Sequence, residues 1–214
     1  MYSDKSPKGK AVTRTPKTPG AIFVVGAAQS GKATFANYLA AEMRQLVNGG
    51  PLPAGSPAGY ALDGWNVCET GDLIAQRMIQ FLTDLPADIF IAGWGNKLKE
   101  NKSEWRLALT NFADSHRDAQ CDYWMDKALH TNARIIVGVR RECEARARVE
   151  RGFDDVWIFV ERYGREEKGT FEGVAIKSAV PEHFRVISID LPGLRKQAEI
   201  NARLIAQYWN LIDS

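Results

Sequence analysis

AIFVVGAAQSGKATFANYLA, residues 21–40, decides the fold. Ile22 to Val25 are apolar without alternation, as a strand buried on both faces of a parallel sheet must be. Gly26 ends that run. From Lys32 onward, Phe35, Leu39, Met43 and Leu46 recur at steps of three and four, the spacing of an amphipathic helix. Between strand and helix lie Gly26, Ala27, Ala28, Gln29, Ser30, Gly31 and Lys32, with the G-x-x-x-x-G-K spacing of a phosphate-cradling turn. That pattern usually continues with Ser or Thr; here Ala33 follows, and the hydroxyl comes one step later, at Thr34.

The chemistry of such a turn is simple. Successive backbone N–H groups point into one concavity, and the helix N-terminus adds partial positive charge. Gly26 and Gly31 permit the backbone angles and a close approach. Lys32 brings a mobile point charge to the β- and γ-phosphates, and Gln29 and Ser30 form the crown. A chance G-x4-G-K is common, but this one follows an apolar run and opens a helical pattern. Residues 26–34 are therefore the expected nucleotide-binding segment.

Outward from this turn, the chain has 214 residues, 45% hydrophobic, enough for the core of one domain. Net charge is +2, unevenly spread. Residues 1–20 carry Lys5, Lys8, Lys10, Arg14 and Lys17 against Asp4, which leaves the rest slightly acidic, so nucleic acid is not an expected partner. Those residues are Pro-rich and poor in large apolar groups, and they read as a disordered basic tail. Cys68, Cys121 and Cys143 are odd in number and show no C-x-x-C spacing. They read as free thiols in a reducing compartment, with no metal site. No apolar run approaches the roughly 20 residues of a membrane span, and no secretory core stands at the N-terminus. The expectation is a cytoplasmic protein with no membrane partner, with a homodimer left open.

Further strands are predicted at 133–140, 155–162 and 184–189, with a shorter one within 60–67. Helices are predicted at 71–85, 103–113, 119–130, 141–151 (closed by Gly152) and 193–212. Residues 48–59 read as a loop, and 163–173 as a polar segment. Strands alternating with helices point to an α/β fold, a mainly parallel sheet covered on both faces. Residues 21–214 form its single domain. Arg141, Arg146, Arg148 and Arg151 read as a solvated helix face with Glu142 and Glu150.

The ending G-K-x-T in GAAQSGKAT resembles the loop of nucleoside monophosphate kinases of the adenylate kinase group, and most closely the phage-type deoxynucleoside monophosphate kinases. SEWRLALTNFADSHRDAQCDYWMDKAL, 103–129, is similar to the family stretch in which Arg precedes a Leu-rich helix, followed by a second Arg and a Trp; Arg106, Arg117 and Trp124 fall on those positions. RIIVGVRRECEARARVERGFDDVWIFVER, 134–162, resembles the family strand ending in Asp-x-Arg and its Glu-bearing helix; Arg140 and Glu144 match, and Gly138 replaces the Asp.

The resemblance implies a three-layer P-loop NTPase fold with a substrate-binding insertion at 60–130 and a lid at 163–173. It implies ATP as donor, Mg²⁺ held through water and phosphate oxygens with no dedicated protein ligands, and a nucleoside monophosphate as acceptor. It places Lys32, Arg140, Arg162 and Arg165 on the transferring phosphate, and Arg106, Arg117 and Trp124 on the acceptor. Asp63 and Asp72 are further polar candidates in the acceptor region, equally readable as caps. Asp190 is a candidate carboxylate, equally readable as the cap of the last helix. His116, His130 and His183 show no ligand spacing. Gly138 motivates the alternative of a nucleotide-binding protein without catalysis, serving in an assembly or as a sensor.

Overall fold

A computed structural model of the protein describes residues 20–48, 65–83, 102–162, 172–180, 183–188 and 190–212. Residues 1–19, Asp63, Arg165 and nearly all of the 163–173 segment therefore lie outside the described residues, as do 48–59 apart from Asn48.

Among the described residues five strands form one sheet: β1 (Ile22–Val25), β2 (Val67–Glu69), β3 (Ile135–Val137), β4 (Val156–Arg162) and β5 (His183–Ser188). All pairings are parallel, in the order β2-β3-β1-β4-β5. Among the described residues seven helices surround it: α1 (Lys32–Asn48), α2 (Thr70–Thr83), α3 (Lys102–Ala119), α4 (Tyr123–Leu129), α5 (Glu142–Glu150), α6 (Gly173–Ala179) and α7 (Leu191–Tyr208).

The apolar run 22–25 becomes the centre of this sheet, buried on both sides. Strand periodicity sends Ile22 and Val24 to one face, where they pack with Phe35 and Leu39 of α1 and Ala198 and Ala202 of α7. It sends Phe23 and Val25 to the other, among Met125 of α4, Ala145 of α5 and Ile176 of α6. Helices thus cover both faces. Phe23 stacks on Trp157 of the neighbouring strand, with ring centroids 4.3 Å apart. Side chains of this size contribute about 1.5–3 kcal/mol each on full burial.

The strand order has a consequence for function. From β1 the chain moves to β2 and β3 on one side; from β3 it crosses to β4 and β5 on the other. Connections leaving the carboxyl ends of β1 and β3 therefore diverge and open a crevice, where open parallel sheets bind ligands.

Two expectations are corrected. Cys121 and Cys143 form a disulfide, with Cα atoms 6.1 Å apart, and only Cys68 is a free thiol. Their separation of 22 residues hid the fact that the turn after α3 abuts the first turn of α5. Nor are the arginines of 141–151 a uniform solvated face. Arg148 is buried, its Nε and Nη2 donating to both oxygens of Asp155 at 2.7 and 3.0 Å. Asp155 also accepts from Ala21 N–H at 2.8 Å, so this pair anchors α5 to the start of β1. Arg146 does pair with Glu142 on the exposed side.

Two helix boundaries also differ from expectation. One helix runs unbroken over Lys102–Ala119, and the next begins only at Tyr123. Gly152 does close α5, at φ +72°. Among the described residues no helix is long and apolar enough to cross a membrane.

Candidate functional site

The glycine-rich turn follows β1 directly. A Cβ at Gly26 would lie 2.4 Å from the Val160 carbonyl oxygen and 2.6 Å from Ser30 Oγ, so only glycine fits beneath the turn. Gln29 and Gly31 take left-handed backbone angles, φ 63° and 88°, which fold the crown over. Ser30 N–H donates to Ala27 O at 3.3 Å. The Ser30 hydroxyl is buried with no hydrogen-bond partner. Phe35 N–H donates to Gly31 O at 2.9 Å and begins the ladder of α1; the amides before it are not used by that ladder. Lys32 Nζ folds back onto Ala27 O at 2.9 Å, which holds its charge over the turn. Thr34 lies half-buried in the first turn of α1.

Beside the turn is a cavity of about 680 Å³, whose wall includes Ala28, Gln29 and Lys32. Arg106, Arg117, Arg140 and Arg141 line it as well. Arg106 and Arg117 are three helical turns apart and share one face of α3. Arg140 and Arg141 come from the connection between β3 and α5. Burial, followed by the nearby charges of Arg117 and Arg106, lowers the pKa of Arg140, although its side chain is open to the cavity. Like charges converging this way in a recess need an anion to offset them. Among the described residues no carboxylate pairs with the guanidinium of Arg106 or Arg140.

The other two arginines are held by acids. Glu144, 1% exposed, accepts from Arg117 Nε at 2.9 Å and from the backbone N–H groups of Arg140 and Arg141 at 2.8 and 3.1 Å. It caps α5 from inside its first turn and fixes both arginine-bearing segments. Asp114 accepts from Arg117 at 3.1 Å and from Arg141 at 3.2 Å. Glu172 accepts from Arg141 at 3.1 Å and from Glu142 N–H at 2.8 Å. Its own N–H donates to Arg140 O at 3.0 Å. The Glu142 N–H bond, and then Arg141, lower the pKa of Glu172.

Gly138 lines the same cavity. It adopts φ +107°, and a Cβ there would sit 2.5 Å from Thr70 Oγ1, the hydroxyl that donates to its carbonyl at 3.1 Å.

Other sequence candidates lie elsewhere. Trp124 is buried behind α3 with Ile74 and Ala113, its indole N–H donating to Ala113 O at 3.0 Å; the cavity wall does not include it. Arg162, exposed at the end of β4, donates to Gln29 O at 3.3 Å and so meets the crown from outside the cavity. Asp190 caps α7, accepting from Gly193 N–H at 2.7 Å. Asp72 lies in the first turn of α2. His116 packs against Phe112, Tyr123 and Trp124, and His130 rests beside Asp126. Among the described residues no group of three metal-ligating side chains occurs.

Sequence reasoning missed Glu69, Thr70 and Asp114, all in the cavity wall. Their only signal was position, at a strand end and on the arginine face of α3. Set against known proteins, the chain matches no family model, no curated protein and no solved structure.

Proposed function

We propose that the protein transfers the γ-phosphoryl group of ATP to a nucleoside or deoxynucleoside monophosphate, giving the diphosphate and ADP. One observation carries this reading: the glycine-rich turn and the arginine-lined recess share a wall, since Ala28, Gln29 and Lys32 belong to both. Phosphoryl transfer is mainly positioning and charge neutralisation, and this arrangement supplies both.

The turn would hold the donor. The cradle beneath Gly26, the buried unpartnered Ser30 hydroxyl and the first-turn amides of α1 suit phosphate oxygens. Arg106 and Arg140 would receive the acceptor phosphate, with Arg117 and Arg141 held beside them by Glu144 and Asp114. An acceptor phosphate oxygen attacks the γ-phosphorus, and the bond to the β–γ bridging oxygen breaks. Lys32 and the arginines take up the charge that shifts between them, and no protein nucleophile is needed. Mg²⁺, entering with the nucleotide on phosphate oxygens and water, would neutralise further charge.

The test is incubation with ATP, Mg²⁺ and each common ribo- and deoxynucleoside monophosphate. Formation of a diphosphate is expected with at least one. ATP binding with no product from any would favour a binding protein without catalysis. The motive for that second reading is Gly138, where a φ of +107° and the Thr70 hydroxyl stand in the way of the carboxylate found in the family that the chain resembles.

A further inference from the structure

The cavity is not basic throughout. Its β2–α2 end carries Glu69, Gly71 and Ile74, with Leu109 of α3 also in the wall. Glu69 is the last residue of β2, in register with Val137. Two inter-strand spacings, about 10 Å, separate β2 from β1 and the phosphate-binding turn. Asp114, Glu144 and Glu172 are all engaged by arginine. Glu69 differs, for among the described residues no donor hydrogen-bonds its carboxylate, although it shares a cavity with four arginines.

An unpaired carboxylate at this end repels the acceptor phosphate and directs it to Arg106 and Arg140. The rest of the acceptor then lies toward Glu69. Ile74 and Leu109 offer apolar contact for a flat ring, and a Cβ at Gly71 would meet nothing within 4 Å, so space is open there. A carboxylate has two acceptor oxygens and no donor. Guanine matches it best, because its N1–H and exocyclic N2 amine present adjacent donors on one edge. Adenine and cytosine set a ring-nitrogen acceptor beside their amine, and thymine flanks its single N–H with two carbonyls. Resting on the kinase reading above, we propose that Glu69 is a specificity residue that selects a guanine-bearing monophosphate by accepting from both donors.

The test is calorimetric binding of dGMP, GMP, dIMP, dAMP, dCMP and TMP to the full chain and to Glu69→Gln, with ATP binding and the melting temperature as controls. The wild type is expected to bind dGMP or GMP tightest. dIMP, which lacks the N2 amine, is expected to bind about 10-fold more weakly or worse. Glu69→Gln should lose about 10- to 100-fold in guanine-nucleotide affinity, with ATP affinity and melting temperature unchanged. Equal or tighter binding of dAMP, dCMP or TMP overturns the assignment, as does unchanged dGMP affinity in Glu69→Gln. If a monophosphate of another base is phosphorylated and neither dGMP nor GMP is, the assignment alone falls. If ATP binds and no monophosphate does, the acceptor reading falls with it.

Discussion

At Gly138 backbone geometry overrides chemistry. A carboxylate there is what the resemblance to the kinases would supply, yet φ is +107° and Thr70 Oγ1 occupies the place of a Cβ. The same hydroxyl donates to the Gly138 carbonyl, so strand end and helix start are locked around the missing side chain. Gly138→Asp is therefore expected to destabilise the fold by about 1–3 kcal/mol and to lower turnover, without lowering the Mg²⁺ requirement. Denaturant unfolding and turnover against Mg²⁺ check this; a stable variant needing less Mg²⁺ would show the position to be a vacated acid site. Lys32 poses the complementary case. Its ammonium already rests on Ala27 O, and the turn itself is held by backbone bonds. Lys32→Met should keep the fold and lose about 10²–10³-fold in transfer rate, on the order of 3–4 kcal/mol of barrier. Near-normal transfer by that variant, measured by diphosphate formation, would move the active site elsewhere.

At the scale of elements, the site depends on how α3 is tied to the β3–α5 connection. Glu144 carries that tie, with its side chain 2% exposed and that of Arg117 9% exposed. Breaking one partner of a buried pair leaves the other charge uncompensated, so Glu144→Gln should cost about 3–5 kcal/mol in denaturant unfolding. A loss under 1 kcal/mol would mean that Asp114 holds Arg117 alone. Acid sensitivity arises nearby. Glu142 N–H and Arg141 lower the pKa of Glu172 in the fold. At Glu161 burial works the other way, but Lys177 and Arg185 outweigh it and the net shift is also downward. A depressed folded pKa means stability that is fully present above the unfolded value and lost as pH falls through the folded value. Melting temperature should drop across the acid side of the carboxylate range, and less steeply in Glu172→Gln; identical slopes would remove Glu172 from the account. Little of this tie was legible in the sequence. Arg140 could be placed from its strand end, and Arg106 and Arg117 from helical spacing. The pairing of Asp114 and Glu172 with Arg141 could not, because that partner lies 27 and 31 residues away from them. Arg148 looked like a surface residue because α5 is charged all round, and Asp155 at the foot of β4, with the Phe153 ring, makes it an interior one.

At the scale of the whole molecule, the local signals were the readable ones. An unbroken apolar run, a glycine turn and a three-four helical repeat each act within a few residues, so β1, the turn and α1 could be read directly. The order β2-β3-β1-β4-β5 is a long-range property that no single segment encodes. Nor does any segment encode the meeting of Cys121 and Cys143. That bridge closes a span of 22 residues containing α4 and β3, and it joins the turn after α3 to the helix that carries Glu144. It therefore reinforces, by a covalent route, the contact that Arg117 and Glu144 make by charge. Constraining the unfolded chain over such a span is worth about 3 kcal/mol. Reductant should lower the unfolding free energy by about 2–4 kcal/mol. Cys121→Ser/Cys143→Ser should match the reduced protein and ignore reductant, while Cys68→Ser should still respond to it. Glu144→Gln should also lose more on reduction than the wild type does, because each link limits the motion that the other resists. Unfolding curves for these proteins, with and without reductant, decide the matter. If the wild type keeps its midpoint on reduction, then charge and packing alone hold α3 against α5.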